Sequence, residues 1–179
     1  MLVSHNLRHH GMEFPDGTVM RINLAWINDL ETLDHIVAGI SNEVFIDIPT
    51  GRLKPPSNRY RLEDIAPFIK KHSHIRYIAI SNVEGPEPIL QFREALGSEI
   101  VLVPKIETMA GIDNLAEIHR ALTADATMML DHDDLFNDVM TNDGQVQTFI
   151  DQVNALVSFC QRQGIRLLRT RGVIFSDHV

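Results

Sequence analysis

Six short apolar runs, each separated from the next by a stretch of helical period, constrain this chain more than any other feature. The runs lie at roughly 19–25 (VMRINLA), 43–48 (EVFIDI), 76–81 (RYIAIS), 99–107 (EIVLVPKIE), 126–130 (ATMML) and 165–170 (IRLLRT). Between them, apolar residues recur every three to four positions at about 29–39, 61–72, 87–96, 114–122 and 144–163. Strands that alternate with helices need crossover connections, so the pattern predicts βαβ units and a parallel sheet. The last helix is the clearest, with Val146, Phe149, Ile150, Val153, Leu156, Val157 and Cys160 on one stripe. Asn114 followed by Glu117 has the spacing of an N-terminal capping box, and Gly97 and Gly164 stand where helices should stop. At 179 residues and 44% hydrophobic, the chain can bury one sizeable core. One domain is therefore expected over 18–179, preceded at 1–17 by an arm or a degraded first strand without clear period. The segment Thr50–Arg59 (TGRLKPPSNR) reads as a surface loop.

Composition removes several classes of function. The formal net charge is −8 and no run of Lys or Arg is long enough to follow a phosphate backbone, so nucleic acid is not an expected partner. No stretch of 18 apolar residues occurs and the N-terminus lacks an apolar signal core, so no membrane partner is expected. A single cysteine, Cys160, cannot build a disulfide framework and suits a reducing compartment, which makes a cytoplasmic location the expectation.

In parallel α/β folds, ligands bind at the carboxyl ends of the strands. Those ends carry, in order, Arg21 and Asn23, Asp47, Ser81 and Asn82, Lys105 and Glu107, the cluster Asp131-His132-Asp133-Asp134, and Thr170 with Arg171. Residues two apart on a strand share a face, so Arg21 joins Asn23 and Lys105 joins Glu107. An isolated charge on a buried face costs several kcal/mol unless a counter-charge or metal offsets it. The repetition from strand to strand therefore predicts a shared site. Glu107 and an aspartate of the DHDD turn on the next strand are hard oxygen ligands that suit Mg²⁺ or Mn²⁺. Lys105 and Arg21 would face the substrate, which should then be a small anion. Against this stands a plainer reading, in which Lys105–Glu107 is a structural ion pair and DHDD a solvated acidic turn.

The ordered series of motifs resembles pyruvate kinase. Lys105-Ile106-Glu107 followed by Gly111-Ile112-Asp113-Asn114-Leu115-Ala116-Glu117-Ile118 is similar to that family's K-I-E strand end and its G-V-x-N-x-x-E-I helix. Arg21-Ile22-Asn23, Phe45-Ile46-Asp47, the stretch 77–83 (YIAISNV), 124–135 and Leu167–Thr170 match further family segments in the right order. The resemblance implies a (β/α) TIM-type barrel of the phosphoenolpyruvate/pyruvate superfamily. It implies that Glu107 and Asp134, or Asp133, bind the divalent ion. Lys105 would stabilise enolate or phosphoryl charge, Arg21 would contact phosphate, and Thr170 would lie near the carbon that gains a proton. Asn23, Asp47, Ser81 and Gly111 would complete the substrate-binding surface.

Departures from that pattern bear on the reaction. Ala25 and Ile48 stand where the family has a serine and a threonine of its K⁺ site, which is thus incomplete. No lid domain is inserted, since TGRLKPPSNR takes its place. Only six strands are recognisable, whereas a full barrel typically takes about 250 residues, so the expected barrel is shortened or incomplete and a homo-oligomer would cover its open edges. Val103-Pro104-Lys105-Ile106-Glu107-Thr108 also resembles the P-x-I-E-T of metal-dependent hydroxy-ketoacid aldolases and citrate-lyase β-like proteins, which need no lid. Three functions are consequently expected in order: a pyruvate-kinase-like enzyme that stabilises an enolate of an α-keto acid, a carbon–carbon lyase releasing pyruvate, and a non-catalytic binding module.

Overall fold

The computed structural model describes residues 1–10, 13–50, 59–123 and 125–169. Seven strands make one all-parallel sheet in sequential order: β1 (Leu2–Ser4), β2 (Val19–Asn23), β3 (Val44–Ile48), β4 (Ile75–Ile80), β5 (Val101–Ile106), β6 (Thr127–Leu130) and β7 (Arg166–Arg169). The sheet curls into a half-barrel, with seven helices between its strands: α1 (Leu30–Ala38), α2 (Leu62–Lys71), α3 (Glu87–Leu96), α4 (Met109–Asp113), α5 (Leu115–Arg120), α6 (His132–Asn142) and α7 (Val146–Gln163). The six expected strands are present, each with slightly shifted ends. At the N-terminus Leu2, Val3 and Ser4 pair with Val19, Met20 and Arg21, so a seventh strand lies within 1–17. The loop expected at 50–59 falls largely on 51–58, outside the described residues.

Alternation along each strand divides the side chains between two faces. On the helix side, Ile22, Ile46, Ile78, Leu102 and Met128 are fully buried against Leu33, Ile65, Ile89, Ile118 and Leu156. This is the main core. On the opposite face Phe45, Ala79, Val103 and Met129 form a smaller cluster, flanked by half-buried Val19, Tyr77, Val101 and Leu168. Continuing each of these inward-facing rows toward the strand's carboxyl end leads to Asp47, Ser81, Lys105 and Asp131, which is why the polar residues gather at one end of the curl.

Local structure corrects three expectations. The DHDD cluster is no turn: it opens α6, with Asp131 as the N-cap accepting from the Asp134 amide at 3.5 Å and Asp133 and Asp134 in the first turn. Carboxylates there favour the positive end of the helix dipole, and Leu135 and Val139, four apart, bury the apolar stripe that holds the helix down. Asn114 caps no helix with its side chain, which donates instead to the Glu84 carbonyl at 2.8 Å. The capping residue lies earlier, where Thr108 Oγ1 accepts from the Gly111 amide at 3.1 Å and starts α4, so helical structure begins well before the expected 114. Along α7 the stripe is only partly covered: Leu156 and Cys160 are buried, while Val146 and Ile150 are exposed. Gly164 ends this helix in the left-handed conformation, φ 66°, as its position predicted.

Candidate metal and anion site

The site grows from β5. Pro104 removes one amide from the ladder, yet the strand continues to Ile106, and Lys105 and Glu107 project toward the inner face, both nearly inaccessible. Lys105 Nζ lies 2.6 Å from Glu107 Oε1, 3.8 Å from Asp47 Oδ1 and 4.0 Å from Asp131 Oδ2, and it donates to Ser81 Oγ at 3.1 Å. One ammonium thus serves three carboxylates drawn from three different strand ends. Burial pulls the Lys105 pKa down, but the adjacent Asp47, Glu107 and Asp131 carboxylates outweigh it and the group stays above the ordinary lysine value. Burial moves the Glu107 carboxyl upward, and Lys105 and the Asn82 amide only partly reverse that, so its pKa is raised.

Arg21 and Asp47 form the second ion pair. Arg21 Nε and Nη2 both donate to Asp47 Oδ2, Nε at 3.1 Å, across the β2–β3 register that also sets Asn23 beside Asp47. Asn23 spends its side-chain oxygen on the Ala25 amide at 2.9 Å, capping the short turn that follows β2. Asp47 Oδ1 and Glu107 Oε1 are buried and accept no hydrogen bond of good geometry, although Oε1 is in ion-pair contact with Lys105. Such atoms are uncommon in native proteins, and both of these face the Lys105 ammonium.

Glu107, Asp131 and Asp134 each offer an oxygen, and the three lie within 4.8 Å of one another. With Asp47, four carboxylates face two cationic side chains, leaving a formal excess of two negative charges. Hard oxygens in this number and an uncompensated charge of this size fit Mg²⁺ or Mn²⁺. Of the two aspartates proposed from sequence, Asp134 belongs to this cluster, while Asp133 is exposed and only lines the cavity beside it. Asp131 was not singled out from sequence as a ligand. Its signal was its place as the first residue after β6, since an N-cap holds its carboxylate at the strand end.

A cavity of about 530 Å³ opens above this cluster, lined by Asn23, Asp47, Ser81, Lys105 and Glu107 at its floor. Its wall is the polar side of α6, with Asp133, Asp134, Asn137, Asp138, Thr141 and Asn142. Asp138, unnoticed in the sequence, accepts from the Met109 amide at 2.8 Å and so ties α6 to the start of α4. Gly111 is buried and away from the cavity lining. A Cβ built there would stand 2.8 Å from the Val83 carbonyl, so its role in this fold is close packing of α4 against the 81–83 turn. Thr170 and Arg171 lie outside the described residues. His132 Nε2 meets Arg169 Nη2 at 3.0 Å, at the rim of β7.

No family model matches the chain. Pyruvate kinases of Staphylococcus aureus strains USA300 and NCTC 8325 are 36% identical to it over 83 residues, which is 44% of this chain and 14% of theirs. The chain thus corresponds to about a seventh of those enzymes' length. The crystal structure of RipC from Yersinia pestis superposes with a TM-score of 0.64 over 99% of this chain and 76% of its own, at 16% identity, which is a likeness of fold. Among the described residues no helix is long and apolar enough to cross a membrane.

Proposed function

We propose that this chain is a Mg²⁺- or Mn²⁺-dependent enzyme that binds an enolpyruvate or a related α-keto acid and stabilises its enolate. The observation that carries the reading is the convergence of Glu107, Asp131 and Asp134 on one point beside the Lys105 ammonium, with cavity above them. The partial likeness to pyruvate kinase supports the same chemistry. When bound, the metal would be held by Glu107, Asp131 and Asp134, and would supply Lewis-acid polarisation of a carbonyl or enolate oxygen. Lys105 would set a fixed positive charge against the oxyanion as charge develops there, in a site where burial strengthens the attraction. Arg21, anchored on Asp47 but 29% exposed, keeps donors free for a carboxylate or phosphate of the substrate. Ser81 holds Lys105 in place from the neighbouring strand. By the resemblance, Thr170 would lie near the carbon that gains a proton.

Two reactions fit this chemistry, and one observation favours the second. A phosphoryl transfer needs a nucleotide partner, whose phosphates would lie near the cavity wall. That wall carries Asp133, Asp134 and Asp138 and, among the described residues, no cationic side chain besides Lys105. Carbon–carbon cleavage to pyruvate asks for no such partner. A coupled assay with phosphoenolpyruvate and ADP, beside pyruvate release from oxaloacetate, separates the two. Mn²⁺ titration by electron paramagnetic resonance, with oxalate as enolate mimic, tests the shared premise. Failure of Mn²⁺ to bind, with Glu107→Gln indistinguishable from the parent protein, would leave the chain as a non-catalytic binding module. The remaining proposals are a cytoplasmic, homo-oligomeric enzyme, which fits the reduced and buried Cys160 and the exposed Val146 and Ile150 on α7.

A further inference from the structure

We propose that Asn82 is a positioning residue, whose left-handed backbone presets Glu107 for the cation; the proposal rests on the metal reading above. Asn82 has φ 53° and is the one non-glycine residue with positive φ among the described residues. Its neighbours show what that conformation does. Ser81 N donates to the Ile48 carbonyl of β3 at 3.3 Å, whereas Val83 N donates to the Lys105 carbonyl of β5 at 3.2 Å. In a regular parallel strand residues two apart donate to the same neighbour. The reversal at Asn82 switches the chain from one neighbouring strand to the other and turns the intervening amide out of the ladder. That amide donates to Glu107 Oε2 at 2.6 Å, which leaves Oε1 as the oxygen directed at Lys105.

The turn is built to hold this strained residue. Asn82 Nδ2 donates to the Thr50 carbonyl at 2.9 Å, and Thr50 Oγ1 donates back to the Ser81 carbonyl at 2.8 Å. From the other side the Val83 carbonyl rests on Gly111, where no side chain fits. Asparagine is among the few residues that tolerate the left-handed region, and its side chain is exposed at the cavity edge, so core packing does not account for the strain. Ser81 and Asn82 together grip both functional groups of β5, Ser81 through Lys105 and Asn82 through Glu107.

Substitutions that separate backbone from side chain test this. Asn82→Gly keeps access to positive φ but loses the Thr50 contact; Asn82→Val makes that conformation strained. Mn²⁺ affinity should stay within about twofold in Asn82→Gly and fall by roughly tenfold in Asn82→Val, the size of the left-handed penalty. Asn82→Ala gives an intermediate loss and replaces the valine variant if that one does not fold. A second readout needs no metal: the Asn82 amide proton should resonate far downfield in the parent protein and move upfield in Glu107→Gln. Parent-like Mn²⁺ affinity in Asn82→Val, or equal losses in the glycine and valine variants, would overturn the proposal. If the parent protein binds no Mn²⁺, the metal reading fails, and the amide shift alone decides whether Asn82 holds Glu107.

Discussion

Replacing Lys105 by methionine should destabilise the protein and, at the same time, make a divalent ion more stabilising than it is in the parent. The side chain is 7% exposed and its ammonium is within 4.0 Å of three carboxylates, two of them almost wholly buried. Methionine fills nearly the same volume, so the loss is that of the charge. Removing one partner of a buried pair costs about 3–5 kcal/mol, because the other partner is left uncompensated. Arg21 continues to neutralise Asp47, and Glu107 can escape by taking a proton, so the lower end applies, about 3 kcal/mol. For a chain of this size that is a fall of roughly 6–12 °C in melting temperature. The pH dependence has a definite sign. The folded pKa of Glu107 is raised above its ordinary 4.5 and rises further without Lys105. Between 4.5 and that value the folded state holds more protons than the unfolded one, so stability declines as pH rises through the window. The deficit should therefore shrink on acidification. Added Mn²⁺ at saturating concentration, followed by thermal melting, should recover more of the loss than it adds to the parent, since no ammonium competes for Glu107 Oε1. A Lys105→Met protein that melts with the parent, or that gains less from Mn²⁺, would refute the electrostatic account of this site.

Other outcomes follow from the same geometry. Gly111→Ala should cost about 1–3 kcal/mol in chemical denaturation, because its Cβ would meet the Val83 backbone carbonyl at 2.8 Å. Leu156→Ala should cost about 2–5 kcal/mol by the same measurement, whereas Val146→Ala, on the exposed part of α7, should be close to neutral. The Cys160 thiol, pushed up to about 11 by burial, should resist a disulfide reagent at pH 8 until denaturant is added. Because that pKa is raised from 9.0, its contribution to stability is intact below pH 9 and is lost as pH rises through 11.

The strands were legible because β-branched runs bounded by turn residues have one physical use in an alternating chain, and β3 and β6 are buried on both faces along their whole length. The site was legible for a related reason. A lysine and a glutamate two apart in such a run must share the inner face, and each strand of the parallel set delivers its last polar residue to the same rim. What the sequence hid was local. Asp131–Asp134 was legible as a source of metal-binding carboxylates but not as a helix start: a carboxylate at an N-cap serves its helix and its strand end at once, which makes α6 and the third oxygen of the cluster a single structural fact. Gly111 stands in a family motif, and resemblance placed it at the substrate; the motif does not announce that the Val83 backbone also occupies the space its side chain would need. Asn82 gave no periodic signal, because a positive φ is a property of one residue and leaves no pattern in its neighbours. Two of these positions, Gly111 and Asn82, share a feature: each fixes a backbone group rather than presenting a side chain to the ligand. Hydropathy and spacing report where side chains go, so residues that work through the main chain become visible only when its path is known, and in this site they govern how Lys105 and Glu107 are held.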